Sequence, residues 1–214
     1  MAMKKIVLVG GGGHCKVIID IIKSTNEYEI VGVTDNNKIG EKLLDVPIIG
    51  NDDILPELFK SGVKNAFVSL GALNNIEVRD KIYNKLKNVG FNIPKLIHNK
   101  AVVSPYTEIH DGTCIMAGAI VNAGAVINEN CIINTSSVIE HDCIIGRNTH
   151  VSPRSCIAGG CSIGENSHIG AGCCIIQGIN IGSNVVIGAG AVVLKDIKDH
   201  VTAVGIPAKI IKSR

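Results

Sequence analysis

Tryptophan is absent from this chain of 214 residues, and only three tyrosines and three phenylalanines are present. So thin an aromatic content excludes a core built on large rings. The apolar content falls instead to Ile, Val, Gly, Ala and Cys, side chains that suit a layered, repetitive interior. Excess charge is missing too: 21 basic and 19 acidic residues leave a formal charge of +2, with no long charge run and no electrostatic footprint for nucleic acid. No stretch approaches the ~18 apolar residues of a membrane span. The apolar run after Lys4 and Lys5 is too short for a signal-peptide core and stops at glycines. We expect a soluble, cytoplasmic protein without a membrane span, built as one large domain or two small ones. In that setting the eight cysteines are expected as reduced thiols, not a disulfide framework.

What the chain has in quantity is a repeat. Counting in sixes from Ile97 to Val193, all seventeen phases are Ile or Val, without an insertion. Four residues after each phase stands a second class, beginning Ala101, Thr107, Thr113, Ala119 and Ala125, and small in fourteen of its seventeen places. A period of six fits neither a helix nor a simple strand; it fits short strands separated by corners, hence a solenoid. The branched and small classes fill a narrow interior, and the frequent Gly and Asn fall where the chain turns. Cys131, Cys143, Cys161 and Cys173 belong to the small class, where a thiol acts as a small hydrophobe. Cys114, Cys156 and Cys174 take the last hexad place, and nothing around them marks a nucleophile.

This pattern resembles the hexapeptide-repeat acyltransferases with a left-handed parallel β-helix, over residues 97–198. Three hexads per coil, as that family has, imply five to six coils, and strands ~4.8 Å apart make a prism roughly 25 Å tall.

Ahead of the repeat, residues 4–35 read KKIVLVGGGGHCKVIIDIIKSTNEYEIVGVTD. This parses as a strand over 6–9, a glycine turn, a helix over about 16–23 and a strand over 29–34 ending at Asp35. That βαβ start is Rossmann-like. The bare Gly10 to Gly13 turn lets backbone N–H groups approach a phosphate at the helix N-terminus, and an acidic residue ending the second strand reads a sugar hydroxyl or a base. Cys15 stands where a dinucleotide fingerprint places its last glycine, and no GK[ST] follows, so a tight turn without a ligand is the competing reading. Further on, AFVSLGALNNIEVRDKIYNKL gives a strand, a turn at Gly71 and a helix from about Asn75. The division expected is residues 1–92, a small open α/β domain, and 93–214, the β-helix domain with a C-terminal tail.

Two histidines, His141 and His150, lie nine residues apart within the repeat. His141 is third in its hexad, outside both interior classes, so its ring points outward. It is flanked by Glu140 and Asp142, and a carboxylate beside an imidazole fixes its tautomer and raises its basicity, which suits a general base. Neighbours on an ideal strand point to opposite faces, so Asp142 reaches His141 only at a corner. His150 and, eighteen residues on, His168 share the last hexad place and outline a ligand groove.

The layout of GGGGH, an LIH entry to the repeats, NTSSVIEHDCIIG with HVSP, and a GIPAK tail resembles more narrowly the nucleotide-sugar acetyltransferases. These include the bacillosamine-pathway UDP-4-amino-sugar N-acetyltransferases and the sialic acid O-acetyltransferases. The resemblance implies that His141 is the proton acceptor and Asp142 the carboxylate that increases its basicity. It implies that His150, Ala171 and Ala189 meet acetyl-CoA, the cosubstrate, and that Asn134 lies near the acceptor sugar. Nucleotide-sugar contacts map to Gly12, Gly13, His14, Asp35, Asn36 and Gly71. It implies a homotrimer with sites between neighbouring prisms and a reaction without a metal. The acceptor expected is a UDP-linked 4-amino-4,6-dideoxy sugar, for glycan or surface-polysaccharide synthesis. Sialic acid O-acetylation is the runner-up, and GDP- or TDP-linked amino sugars stay open. In a different class stands a γ-type carbonic anhydrase, a zinc lyase on the same β-helix, which His141, His150 and His168 bring to mind but whose ligand spacing they do not reproduce.

Overall fold

The protein is described by a computed structural model that covers residues 3–37, 39–72 and 76–213. It divides into two compact units, Met1–Asn99 and Lys100–Arg214.

The first unit is a five-stranded sheet in the order β3-β4-β2-β1-β5, formed by β1 (Lys4–Val9), β2 (Tyr28–Thr34), β3 (Lys42–Leu43), β4 (Val46–Gly50) and β5 (Asn65–Val68). All neighbours run parallel except the β3/β4 pair. Ile6, Val7, Leu8 and Val9 are buried, as a central parallel strand covered on both faces requires. Helix α1 (Gly13–Thr25) buries Cys15, Ile18, Ile19, Ile21 and Ile22 at helical spacing and stops at Asn26, whose left-handed backbone returns its N–H to the Ile22 carbonyl. It begins three residues before the expected start: the end of the glycine turn, Gly13, is itself the first helical residue, and the N-cap Gly12 makes no side-chain cap. Helices α2 (Leu55–Lys60) and α3 (Ile76–Val89) complete the unit. The expected start of α3 near Asn75 lies outside the described residues.

The second unit is the left-handed β-helix. Within the repeat its strands are only two residues long, one per hexad, and successive coils pair them in parallel eighteen residues apart; the last coil is closed by the longer strands Val201–Val204 and Lys209–Ser213, which pair antiparallel. The hexad residue before the Ile/Val phase faces outward and the phase residue faces in; Ile133, Ile139, Ile145, Val151 and Ile157 are all buried. The small class is therefore not on the same strand as the branched one. It lies beyond the corner, whose apex is the fourth hexad place: there Asn130, Ser136, Asp142, Asn148, Arg154 and Asn166 hold φ between 56° and 60°, and Gly118, Gly124, Gly160 and Gly172 hold it between 65° and 77°. Left-handed backbone of this kind favours Gly and Asn, which is why those residues recur at this place.

The small class also has a polar task. Thr113, Thr149, Ser155 and Ser167 donate their hydroxyls, at 2.7–2.9 Å, to carbonyls of Asn128, Gly164, Gly170 and Gly182 in the next coil. Cys131, Cys143 and Cys161 direct their thiols to Gly146, Ala158 and Ile176 at 3.1–3.2 Å. Each gives a carbonyl inside the prism a side-chain donor, and the Gly146 and Gly170 carbonyls also accept backbone N–H groups, from Thr149 and Cys173. At another corner Asn130 donates to Asn148 at 2.8 Å and Asn148 to Asn166 at 3.0 Å, an amide ladder along the prism. Burial pushes Cys143 up to about 11 and Cys173 up to about 12, so these thiols are packing groups and not nucleophiles.

Candidate active site

Asp142 sits at a corner, with φ +59°, and this rotates its side chain to the same side as that of His141. The imidazole Nδ1 and the carboxylate Oδ2 are 2.8 Å apart. An ionised carboxylate only accepts, so Nδ1 donates and the Nε2 lone pair is left to take a proton. Two glycines make room for this pair. A Cβ on Gly124, one coil earlier, would lie 2.4 Å from Asp142 Oδ1, and one on Gly159, one coil later, 2.5 Å from His141 Nε2. The ring thus occupies space that any side chain at 159 would take. His141 and Asp142 are both largely open to solvent, at 65% and 70%. Glu140 turns elsewhere and accepts from Asn122 Nδ2 at 2.8 Å, so of the two flanking carboxylates it is Asp142 that bonds the histidine.

On the third face, His150 and His168 are paired directly across neighbouring strands, their rings 4.8 Å apart and edge to face. Asn134 Nδ2 lies 3.0 Å from His150 Nε2, and Ser152 Oγ 3.2 Å from His168 Nε2. The structure therefore joins Asn134 to His150 and sets both apart from His141, which stands at a corner between the strands Val138–Ile139 and Ile144–Ile145. His150 and His168, which share the last hexad place, lie on a flat face of the prism. Ala171 and Ala189 occupy equivalent corners of successive coils, both exposed, joined by the bond from Gly190 N–H to the Ala171 carbonyl at 2.8 Å. Among the described residues no group of three or more His, Cys, Asp or Glu is placed to hold a metal ion.

In the first unit a cavity of about 210 Å³ is lined by Gly10, Asp35, Asn36 and Leu70, with Val78 and Ile82 from α3. Asp35 accepts from the N–H groups of Gly11 at 2.8 Å and Asn37 at 2.9 Å, so its carboxylate ties the glycine turn to the end of β2. Gly12 and Gly13 are exposed at the start of α1, and a Cβ on either would meet nothing within 4 Å. Gly71 packs against His14, its Cβ position 3.7 Å from the His14 Cβ. Gly10 has φ +103°, and a side chain there would collide with Leu70 at 2.6 Å.

Three residues absent from the sequence reading hold this pocket. Ser69 donates to the Val9 and Gly10 carbonyls at 2.9 and 2.8 Å. Arg79, 1% exposed, donates to the Val68 and Leu70 carbonyls at the end of β5. Thr34 donates to Asp52 at 2.7 Å. A charged residue on the inward face of α3 was the one sequence signal that pointed to Arg79.

His14 Nε2 is sealed from solvent without a hydrogen-bond partner, although the residue as a whole is only partly buried. Burial, with the Arg79 charge beside it, lowers the His14 pKa from 6.5 to about 3. Between those values the unfolded chain binds the proton that the folded one refuses, so stability is full above pH 6.5 and falls as pH drops toward 3. His14→Asn removes the titration. Thermal melts from pH 7 to pH 4 are expected to show a shallower fall in Tm for the variant; parallel curves would contradict this assignment.

The chain matches known families and solved structures along nearly its whole length. Residues 5–86 match the PglD N-terminal domain, residues 124–159 and 142–177 the bacterial transferase hexapeptide repeats, and residues 160–195 the hexapeptide repeat of succinyl-transferase. PerB from Caulobacter crescentus, solved with CoA and GDP-perosamine, is 38% identical over 99% of both chains, with a TM-score of 0.93. The acetyltransferase domain of PglB from Neisseria gonorrhoeae, solved with acetyl coenzyme A, is 36% identical over 98% of this chain and 100% of that one, with a TM-score of 0.91. WeeI from Acinetobacter baumannii shares the fold at 24% identity over 98% and 100% of the two chains, with a TM-score of 0.84. The chain belongs to the hexapeptide-repeat nucleotide-sugar acetyltransferases and is an acetyl-CoA-dependent sugar acetyltransferase.

Proposed function

We propose that this enzyme moves the acetyl group of acetyl-CoA to the amino group of a UDP-linked 4-amino-4,6-dideoxy sugar in glycan or surface-polysaccharide synthesis, with His141 as general base and Asp142 as its positioning carboxylate. The observation that carries the reading is the His141–Asp142 bond of 2.8 Å at an open corner, over a glycine. The amine nitrogen attacks the thioester carbonyl, Nε2 of His141 takes the proton that the nitrogen sheds, and the C–S bond breaks as that proton passes to the departing CoA sulfur. No acyl-cysteine is required. His150, with Asn134 against it, and the Ala171 and Ala189 corner serve acetyl-CoA and the acceptor, while Gly12, Gly13, His14, Asp35, Asn36 and Gly71 serve the nucleotide sugar.

Because His141 and His150 stand at separate places on one prism, a site using both is completed by assembly. A homotrimer with three sites between neighbouring prisms is the arrangement we infer. A variant of the Caulobacter enzyme in which a histidine is replaced by alanine was solved with CoA and GDP-perosamine, so in that relative the replacement leaves both ligands bound. The GDP-sugar bound to that relative also favours a second reading, in which GDP replaces UDP as the carrier.

Thiol release from acetyl-CoA, followed across UDP-, GDP- and TDP-linked 4-amino sugars and sialic acid, tests the proposal. Saturable release with the UDP sugar is expected. Release with the GDP sugar alone would select the second reading, and release with sialic acid alone would overturn N-acetylation. Gly13→Val adds a Cβ that meets nothing within 4 Å at an exposed position, so the fold is expected to survive. Its acceptor KM should rise about tenfold, the effect of ~1.4 kcal/mol, with acetyl-CoA affinity unchanged; equal loss for both ligands would contradict the assignment of the acceptor to the first unit.

A further inference from the structure

The face that carries His150 holds a second histidine to which the reaction gives no part, His168. The place before the Ile/Val phase on this face is taken by Cys114, Ile132, His150, His168 and Val186 in successive coils, each paired with the next. Apolar side chains serve for packing at both ends of that column, so two adjacent histidines in it need another reason. One place after the phase, Asn134 and Ser152 also stand a coil apart, and each reaches the histidine sixteen residues on. Asn134 Nδ2 is 3.0 Å from His150 Nε2, and Ser152 Oγ is 3.2 Å from His168 Nε2.

The two bonds differ in what they fix. The Thr135 N–H, which only donates, lies 2.8 Å from Asn134 Oδ1, so the amide is held one way round with its nitrogen towards His150. An amide N–H also only donates, so His150 Nε2 accepts, and the single proton of the neutral ring sits on Nδ1. A proton on Nε2 would set two N–H groups against each other across 3.0 Å. His150 therefore does not compete with His141 for the proton of the attacking amine. The Ser152 hydroxyl donates or accepts equally well, so it does not set the tautomer of His168. What His168 brings is its ring, edge to face with His150 at 4.8 Å and 79° on a directly paired strand.

We propose that His168 is a positioning residue for acetyl transfer: its ring holds His150 against Asn134 and so keeps the neutral, Nδ1-protonated histidine in the one orientation that acetyl-CoA meets. The proposal rests on the reading above that His150 serves acetyl-CoA. His168 itself touches neither ligand, and no bond to it is made or broken. Without its ring, His150 turns about its side-chain bonds, loses the amide and takes up the other tautomer, and the cosubstrate then meets a mixture of states.

Neutron diffraction from the deuterium-exchanged enzyme at neutral pH, beside steady-state kinetics and thermal melts of His168→Ala, His168→Phe and His150→Ala, tests this. One deuteron is expected on His150 Nδ1, none on Nε2, and one deuteron of Asn134 Nδ2 pointing at Nε2. His168→Ala should raise the acetyl-CoA KM by about tenfold, the upper reach of one ring contact, with kcat and the acceptor KM little changed. His168→Phe keeps a ring and should recover most of that loss. A deuteron on His150 Nε2, no recovery in His168→Phe, or kcat and both KM values moving together with a lowered Tm in His168→Ala would overturn the proposal. His150→Ala separates it from the reading beneath it. A raised acetyl-CoA KM in that variant with none in His168→Ala would remove the positioning role alone, and no rise in either would remove both.

Discussion

Replacing His141 by alanine is expected to lower kcat/KM for transfer by about 100-fold or more, some 2.7 kcal/mol of transition-state stabilisation. The ring is 65% exposed and rests over Gly159, so the variant should keep its melting temperature and its affinity for acetyl-CoA. Asp142→Asn keeps an oxygen within reach of Nδ1 but removes the charge that steadies the imidazolium, and about a tenfold loss is expected. Gly159→Ala probes the same pair from the other side: its Cβ would claim the position 2.5 Å from Nε2, so the ring must swing away from Gly159. Steady-state kinetics beside a thermal melt check all three. Near-normal turnover in His141→Ala would remove His141 from the mechanism, whatever the geometry around it.

The second large effect is on stability. Gly164 sits just after a phase residue, where a Cβ would come within 2.5–2.7 Å of backbone atoms of Gly182 and Ser183 in the next coil. No side-chain rotation relieves a collision with backbone. Gly164→Ala must open the prism there and strain the bonds from Gly164 N–H to Ile181, 2.7 Å, and from Thr149 to the Gly164 carbonyl, 2.9 Å. A loss of about 3 kcal/mol is expected, from overpacking and weakened inter-coil bonds together. Gly160→Ala is the matched control: its φ of +68° strains any L side chain, but nothing lies within 4 Å, so a loss nearer ~1 kcal/mol is expected. Urea denaturation of the two variants decides the matter, and an equal or larger effect at Gly160 would contradict the account of why these glycines differ.

The β-helix was legible in the sequence because its side chains obey one short period, and the phase from Ile97 to Val193 never slips. What the period did not reveal is why Thr113, Ser155 and Cys161 are more than small. Their bonds to the coil above join residues fifteen apart, a relation visible only once coils are stacked. The carboxylate beside His141 was in view from the start, yet whether it reached the ring depended on the left-handed turn at Asp142, a conformation that Asp adopts less often than Gly. The pocket in the first unit was half legible. Asp35 and the glycine turn announced themselves, but Ser69 acts on the glycine turn from a distant position in the chain, and Arg79 holds the end of β5 only once α3 folds back over it.

Transfer of isotopically labelled acetyl from acetyl-CoA to a UDP-4-amino-4,6-dideoxy sugar, followed by mass spectrometry of both sugar and protein, tests the central claim most directly. Direct transfer through His141 predicts one labelled acetyl on the sugar nitrogen for each CoA released, and no label on the protein at any time point. CoA release without an acetylated sugar, or label passing through a cysteine, would contradict it.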